Sequence, residues 1–127
     1  MTNEEEREML KYDNPIAIAT WITLGDGSLC LKGRQKNAFL QMTHRHSDYD
    51  YIKMKGDLLS QITNVKIAER EHKGNLEWQL WTQCHPFYTK IYKNTYLNRR
   101  KVIYSHSIKL MTPLCLAILY QDDGRYS

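Results

Sequence analysis

The sequence predicts an α+β domain in the order α-β-β-α-β-β-α, with four antiparallel strands backed by helices, then a short segment and one more helix. Three observations carry this. Two apolar stretches, Ile16 to Leu24 and Leu114 to Tyr120, each run into a turn marked by glycine and aspartate: Leu24-Gly25-Asp26-Gly27 and Asp122-Asp123-Gly124. Two pairs of short strand-like segments are each joined by a polar turn. Between the pairs, apolar residues recur at helical spacing.

The first ten or so residues read as a frayed helix or tail. Asn14-Pro15 reads as a cap and a first-turn proline, opening a helix through Leu24 that is apolar on most sides and is therefore buried or at an interface. Gly25 and Gly27 end it. Ser28 to Lys32 and Ala38 to His44 form a first hairpin around the basic turn Gly33-Arg-Gln-Lys-Asn37. Ser47-Asp48 caps a helix over 48–61, with Tyr51, Met54, Leu58, Leu59 and Ile62 on its apolar face. A second hairpin, Thr63 to Arg70 and Leu76 to Gln83, closes through His72-Lys-Gly-Asn75. Its second strand alternates, Leu76, Trp78, Leu80 and Thr82 against Glu77, Gln79, Trp81 and Gln83, which gives one core face and one free to read a partner. His85-Pro86 opens a helix through about Leu97, with Phe87, Ile91 and Tyr92 inward. Asn98 to Lys101 is a loop, and Thr112-Pro113 starts the last helix.

A chain of 127 residues can bury one core and is too short for two domains. Its start is acidic, which excludes a secretory signal, and no window approaches the roughly 18 apolar residues of a membrane span. No membrane partner is expected. Cys30, Cys84 and Cys115 are scattered and fit buried thiols in a reducing, intracellular setting. His44 and His46 could chelate zinc from one strand, but no cysteine or carboxylate stands at a partner spacing, so zinc is not expected. Residues 1–13 carry a net −3, which leaves +7 for residues 14–127, so the body leans towards a polyanionic partner.

The two acidic helix tips are the candidate site. If the helices pack side by side, Asp26 and Asp123 become neighbours able to hold a divalent metal over one phosphodiester.

With these elements placed, the chain resembles the LAGLIDADG homing endonucleases, in the branch whose second motif is Asp-Asp-Gly. The likeness rests on Ile22-Thr-Leu-Gly-Asp-Gly-Ser-Leu29, on Glu69-Arg-Glu-His-Lys-Gly-Asn-Leu76, and on Met111 to Gly124. It implies a saddle-shaped sheet lying in the DNA major groove beside two motif helices packed at a seam. The implied domains are an acidic tail over 1–13, the endonuclease-type domain over 14–111, and the second motif helix over 112–127, with the chain truncated after it.

The implied activity is site-specific, metal-dependent cleavage of double-stranded DNA using Mg²⁺ or Mn²⁺. Asp26 and Asp123 match the metal-binding acids, Asp122 the less directly involved neighbour, and Gly25 stands with them in the metal set. Lys101 resembles the lysine of the family's Lys-x-Ile-Pro segment, which positions or polarises the attacking water. Strand position nominates Lys32, Arg34, Lys36, Gln41, His44, Lys66, Arg70, Lys73, Gln79 and Gln83 as base or phosphate readers. The aromatics Trp78, Tyr92 and Tyr96 are assigned to the core rather than to nucleobase stacking.

The chain departs from the family pattern in three places. Trp21, where the family has a small residue, predicts a wider helix seam, with Ile118 as its counterpart. Tyr104 replaces the proline of Lys-x-Ile-Pro. The third departure is the missing second saddle, which a second copy or a separate polypeptide would supply. The alternative is a non-cleaving fold kept for nucleic-acid binding, as a maturase-like RNA binder or a part of an organellar ribosome or other ribonucleoprotein. The expected setting is a mitochondrion or chloroplast, or a bacterial or phage-infected cytoplasm.

Overall fold

The computed structural model describes residues 15–31, 34–103, 108–109 and 111–124, with residues 123 and 124 described for backbone alone. Among the described residues the order is α1 (Pro15–Leu24), β1 (Ser28–Cys30), β2 (Phe39–Arg45), a 3₁₀ turn (His46–Asp48), α2 (Tyr49–Leu59), β3 (Val65–His72), β4 (Asn75–Thr82), α3 (Pro86–Thr95), β5 (Tyr96–Leu97), β6 (Arg100–Lys101) and α4 (Pro113–Gly124). This is the α+β class read from the sequence. The four longer strands form one antiparallel sheet in the order β1-β2-β4-β3.

Helix α1 is buried from Ala17 through Thr23, as its all-round apolar composition requires. Its two threonines do not break the rule. Thr20 and Thr23 donate their hydroxyls to the carbonyls of Ile16 and Ala19, so neither polar group is buried unsatisfied. The helix ends when the Gly25 and Gly27 amides turn back on the carbonyls of Trp21 and Ile22, at 3.0 and 2.8 Å. A side chain at Gly27 would stand 2.9 Å from the Ile22 carbonyl oxygen, so the turn has no room for a Cβ.

The core lies between the sheet and the helices. Leu40, Met42 and Leu80 face inward from the strands to meet Ile18, Ile22, Ile52, Leu59 and Ile91. The opposite face carries Gln41, Thr43, Gln79, Trp81, Lys66 and Arg70 in register: Gln41 pairs with Trp81, which pairs with Lys66, and Thr43 pairs with Gln79. The β3–β4 turn uses Lys73 and Gly74 at φ of 53° and 82°, the left-handed pair that suits a two-residue hairpin.

Several local expectations are corrected. Asp48 precedes α2 but makes no side-chain cap bond, and a 3₁₀ turn stands there instead. On α3 the inner residues are Tyr88, Ile91 and Thr95, while Phe87 is exposed. The His85 Nδ1 cap accepts from the Phe87 amide and sets that phase. Asn98 to Lys101 is not a loop, because Asn98 and Arg99 both take positive φ and fold Tyr96–Leu97 onto Arg100–Lys101 as a small hairpin. Cys115 is buried, but Cys30 is partly open and Cys84 exposed, and all three are free thiols. The Asn14 cap lies outside the described residues. Among the described residues no helix is long and apolar enough to cross a membrane.

Candidate metal centre and reading face

The C-terminal tips of α1 and α4 meet. The Asp26 amide donates to Asp122 Oδ2 at 3.2 Å, between residues 96 positions apart in the chain. A Cβ at Gly25 would stand 2.5 Å from that same oxygen, so glycine here is what lets the Asp122 carboxylate approach. Trp21 is buried at 3% exposure. Its bulk does not keep the two tips from meeting.

Asp122 is almost wholly buried and held by donors. Lys55, fully buried on α2, donates from Nζ to Asp122 Oδ1 at 2.6 Å, and the Tyr51 hydroxyl donates to the same oxygen at 2.5 Å. Burial pushes the Asp122 carboxyl up. The Lys55 and Tyr51 bonds, the Lys55 charge and the Asp26 amide outweigh it, and the group titrates below its ordinary value.

His44 completes the cluster. It is on the inward row of β2 with Leu40 and Met42, 6% exposed. Its Nδ1 lies 3.7 Å from Asp26 Oδ2 and its Nε2 lies 3.0 Å from Lys55 Nζ. This corrects its place among the base readers. Strand side chains alternate, so position 44 shares a face with 40 and 42 and not with Gln41. Asp26, His44 and Asp122 offer three ligand atoms within 4.8 Å of one another. A divalent ion with bonds near 2.0–2.1 Å would need side-chain adjustments of less than about an ångström to meet both carboxylates, so Asp26 and Asp122 fit a metal, with the His44 ring beside them. Sequence spacing about His44 offers no partner; the carboxylates arrive from distant turns.

Lys101 reaches the first motif from the β5–β6 hairpin. Its Nζ donates to the carbonyls of Gly25 at 3.1 Å and Gly27 at 2.6 Å. Partial burial pulls its pKa below the usual lysine value, against the opposing fields of Asp26 and Asp122. A cleft of about 630 Å³ opens beside Asp26 and His44 and continues past Arg45, Asp48 and Glu77.

Of the other nominated residues, Gln41, Lys66, Arg70 and Gln79 lie on the outward sheet face, with Arg70 Nε bonded to Glu77 at 2.8 Å. Arg34 and Lys36 are exposed in the first hairpin's turn, Lys73 in the second, and Gln83 just past β4. Lys32 and the side chain of Asp123 lie outside the described residues. Trp78 is half-buried, stacked on His46 at 5.1 Å, and Tyr92 stacks on Tyr96 at 4.7 Å. Sequence reasoning missed Lys55 and the role of Tyr51. The available signal was a lysine on the stripe that Tyr51, Ile52 and Leu59 define on α2.

A four-stranded sheet beside two acidic helix tips is the architecture of a LAGLIDADG protein, and the comparisons agree. The family model of the LAGLIDADG DNA endonuclease family matches residues 16–127. The chain belongs to that family. Among solved structures, the homing endonuclease I-WcaI bound to its DNA recognition sequence has the same fold, with a TM-score of 0.66 at 23% identity, covering 87% of this chain and 51% of that one. Among curated proteins, RecA of Mycolicibacterium flavescens and of Mycolicibacterium chitae are each 28% identical over 91% of this chain, and RecA of Mycobacterium gastri is 27% identical over 98%. The chain spans only 27% to 31% of the length of these relatives.

Proposed function

We propose that this chain is one half of a homing-type endonuclease that hydrolyses both strands of a specific DNA site, with Mg²⁺ or Mn²⁺ held at the helix tips. The observation that carries the reading is the meeting of Asp26 and Asp122 at two motif-helix ends, with Lys101 anchored on the same turn. Lys55 already balances Asp122, so a divalent cation would answer chiefly to Asp26, which lines the open cleft, with Asp122 beside it. A metal there would lower the pKa of a bound water and offset charge on the phosphodiester. The chain's own part is to fix the acids through Lys55 and Tyr51, to brace the turn through Lys101, and to exclude solvent through α1 and α4. Asp123 remains a second candidate ligand.

The outward sheet face is the DNA-contacting surface in this reading, with Gln41 and Gln79 suited to adenine edges and Lys66, Lys73 and Lys36 to phosphates or guanine. A single saddle covers about half of a long site. The remainder comes from a second saddle, in a second copy or another polypeptide segment. Exposed Leu116 and Tyr120 on α4 are the surface it would cover.

The test is cleavage of a duplex library with randomised sites. The expected result is Mg²⁺-dependent ends enriched in one sequence, reduced at least about a thousandfold in Asp26→Asn. One observation favours a second reading. Asp122 already accepts from three donors, as a purely structural carboxylate would. DNA or RNA binding that survives chelation and the Asp26→Asn change, with no cleavage, would assign the chain to binding alone.

A further inference from the structure

We infer that Lys55 is a positioning residue that makes His44 a hydrogen-bond donor to Asp26 and keeps it from being a metal ligand. A lysine ammonium carries donors only, so the His44 Nε2 atom 3.0 Å from Lys55 Nζ must present its lone pair. The ring proton then sits on Nδ1, the nitrogen 3.7 Å from Asp26 Oδ2. Closing that gap to a formed hydrogen bond takes about half an ångström of side-chain movement.

The alternative states are both poor. A metal on Nε2 would have to displace Lys55, which is wholly buried and bonded to Asp122 at 2.6 Å. A metal on Nδ1 would drive the ring proton to Nε2, leaving an N–H facing an ammonium at 3.0 Å with no acceptor between them. Packing holds Lys55 in this position. Its Nζ lies 4.3 Å over the Tyr51 ring, and the Tyr51 and His44 rings stand 5.2 Å apart. One buried cation therefore joins Asp122 to His44, and turns the other ring nitrogen of His44 towards Asp26 at 3.7 Å.

The consequence is chemical selectivity. Of the three residues that cluster here, only the two carboxylates are left to the metal, so the protein offers oxygen alone. Oxygen donors suit hard cations such as Mg²⁺ and Mn²⁺, whereas zinc gains most from imidazole or thiolate. As a statement about catalysis this rests on the endonuclease reading; as a statement about hydrogen bonds it does not.

The test is nitrogen NMR of the whole chain labelled in histidine, with the His44 signals assigned by their loss in His44→Gln. The expected spectrum at neutral to mildly alkaline pH shows a protonated Nδ1 and an unprotonated Nε2, unchanged by Mg²⁺. Zinc should also leave the ring proton in place. In Lys55→Met the Nε2–H form should appear, and zinc affinity measured by calorimetry should rise at least about tenfold. If that variant does not fold, the spectrum of the unmodified chain decides. A proton on Nε2, or loss of the Nδ1 proton when Mg²⁺ binds, would overturn the inference. Absence of cleavage would count against the endonuclease reading and leave the spectrum untouched.

Discussion

At the scale of single residues, Asp122 shows how a buried charge is kept. A carboxylate at 1% exposure would ordinarily be neutralised, yet three donors hold it ionised. Its folded pKa is depressed, so its stabilising contribution is complete above the unfolded value and is lost as pH falls through the folded one. Asp122→Asn should therefore weaken the protein at neutral pH by about 3–5 kcal/mol, because Lys55 loses its counter-ion. The gap should narrow below about pH 4, where the unmodified chain loses the same interaction. Urea melts across that range check both statements, and parallel curves at every pH would refute them.

The sequence reading named both adjacent acids, and adjacent residues on a helix point about 100° apart. Which of them turns towards Asp26 depends on the rotation of α4 against α1, which no local pattern encodes. Asp26 and Lys101 were legible because flanking glycines and a neighbouring basic run mark them. Lys55 was not, since a lone lysine on a helix is usually solvated, and only the tertiary meeting of α2, α4 and β2 gives it partners.

At the scale of elements, the seat of α2 on the sheet decides where Lys55 and Tyr51 end up. Gly56 lies on the buried side of the helix, where an added Cβ would stand 3.2 Å from both the Ile67 and Leu80 δ-methyl carbons. The close approach of helix to sheet is thus built on the absence of a side chain. Alanine there gains helix propensity against a tight but yielding contact. Leucine cannot be housed without lifting the helix. Gly56→Leu should cost about 1–3 kcal/mol in chemical denaturation and should loosen the Lys55–Asp122 contact. A variant as stable as the parent would show that the interface is slacker than drawn.

Strand pairing and the order of the elements were readable because hairpin turns and alternation are local signals. The β5–β6 ribbon was not, because Asn98 and Arg99 adopt left-handed φ without glycine to announce it. That ribbon carries Lys101 to the Gly25 and Gly27 carbonyls, so a short unannounced hairpin completes a candidate site in which the sequence named Asp26 as a metal-binding acid and Asp122 only as the less directly involved neighbour of Asp123.

At the scale of the whole molecule, the net charge of +4 is small for the DNA-binding role proposed above, and what matters in that reading is where the cations stand. Arg34, Lys36 and Lys73 are exposed at the hairpin turns, while the middle of the outward face presents Gln41, Thr43, Gln79 and Trp81. This division separates two kinds of contact. Cations at the rims should meet phosphates and set affinity in a salt-dependent way, whereas amides at the centre should meet base edges and set sequence preference. Lys73→Ala should weaken DNA binding about equally for all sequences and make the slope of log K against log salt shallower by about one. Gln79→Ala should leave that slope in place and relax preference at one base pair, at a cost of about 1–3 kcal/mol. Binding isotherms at several salt concentrations, on a selected site and on its single-base variants, separate the two effects. If the rim substitution changed preference and the central one changed the slope, the sheet would lie on the duplex in another orientation, and the assignment of readers and anchors would have to be exchanged.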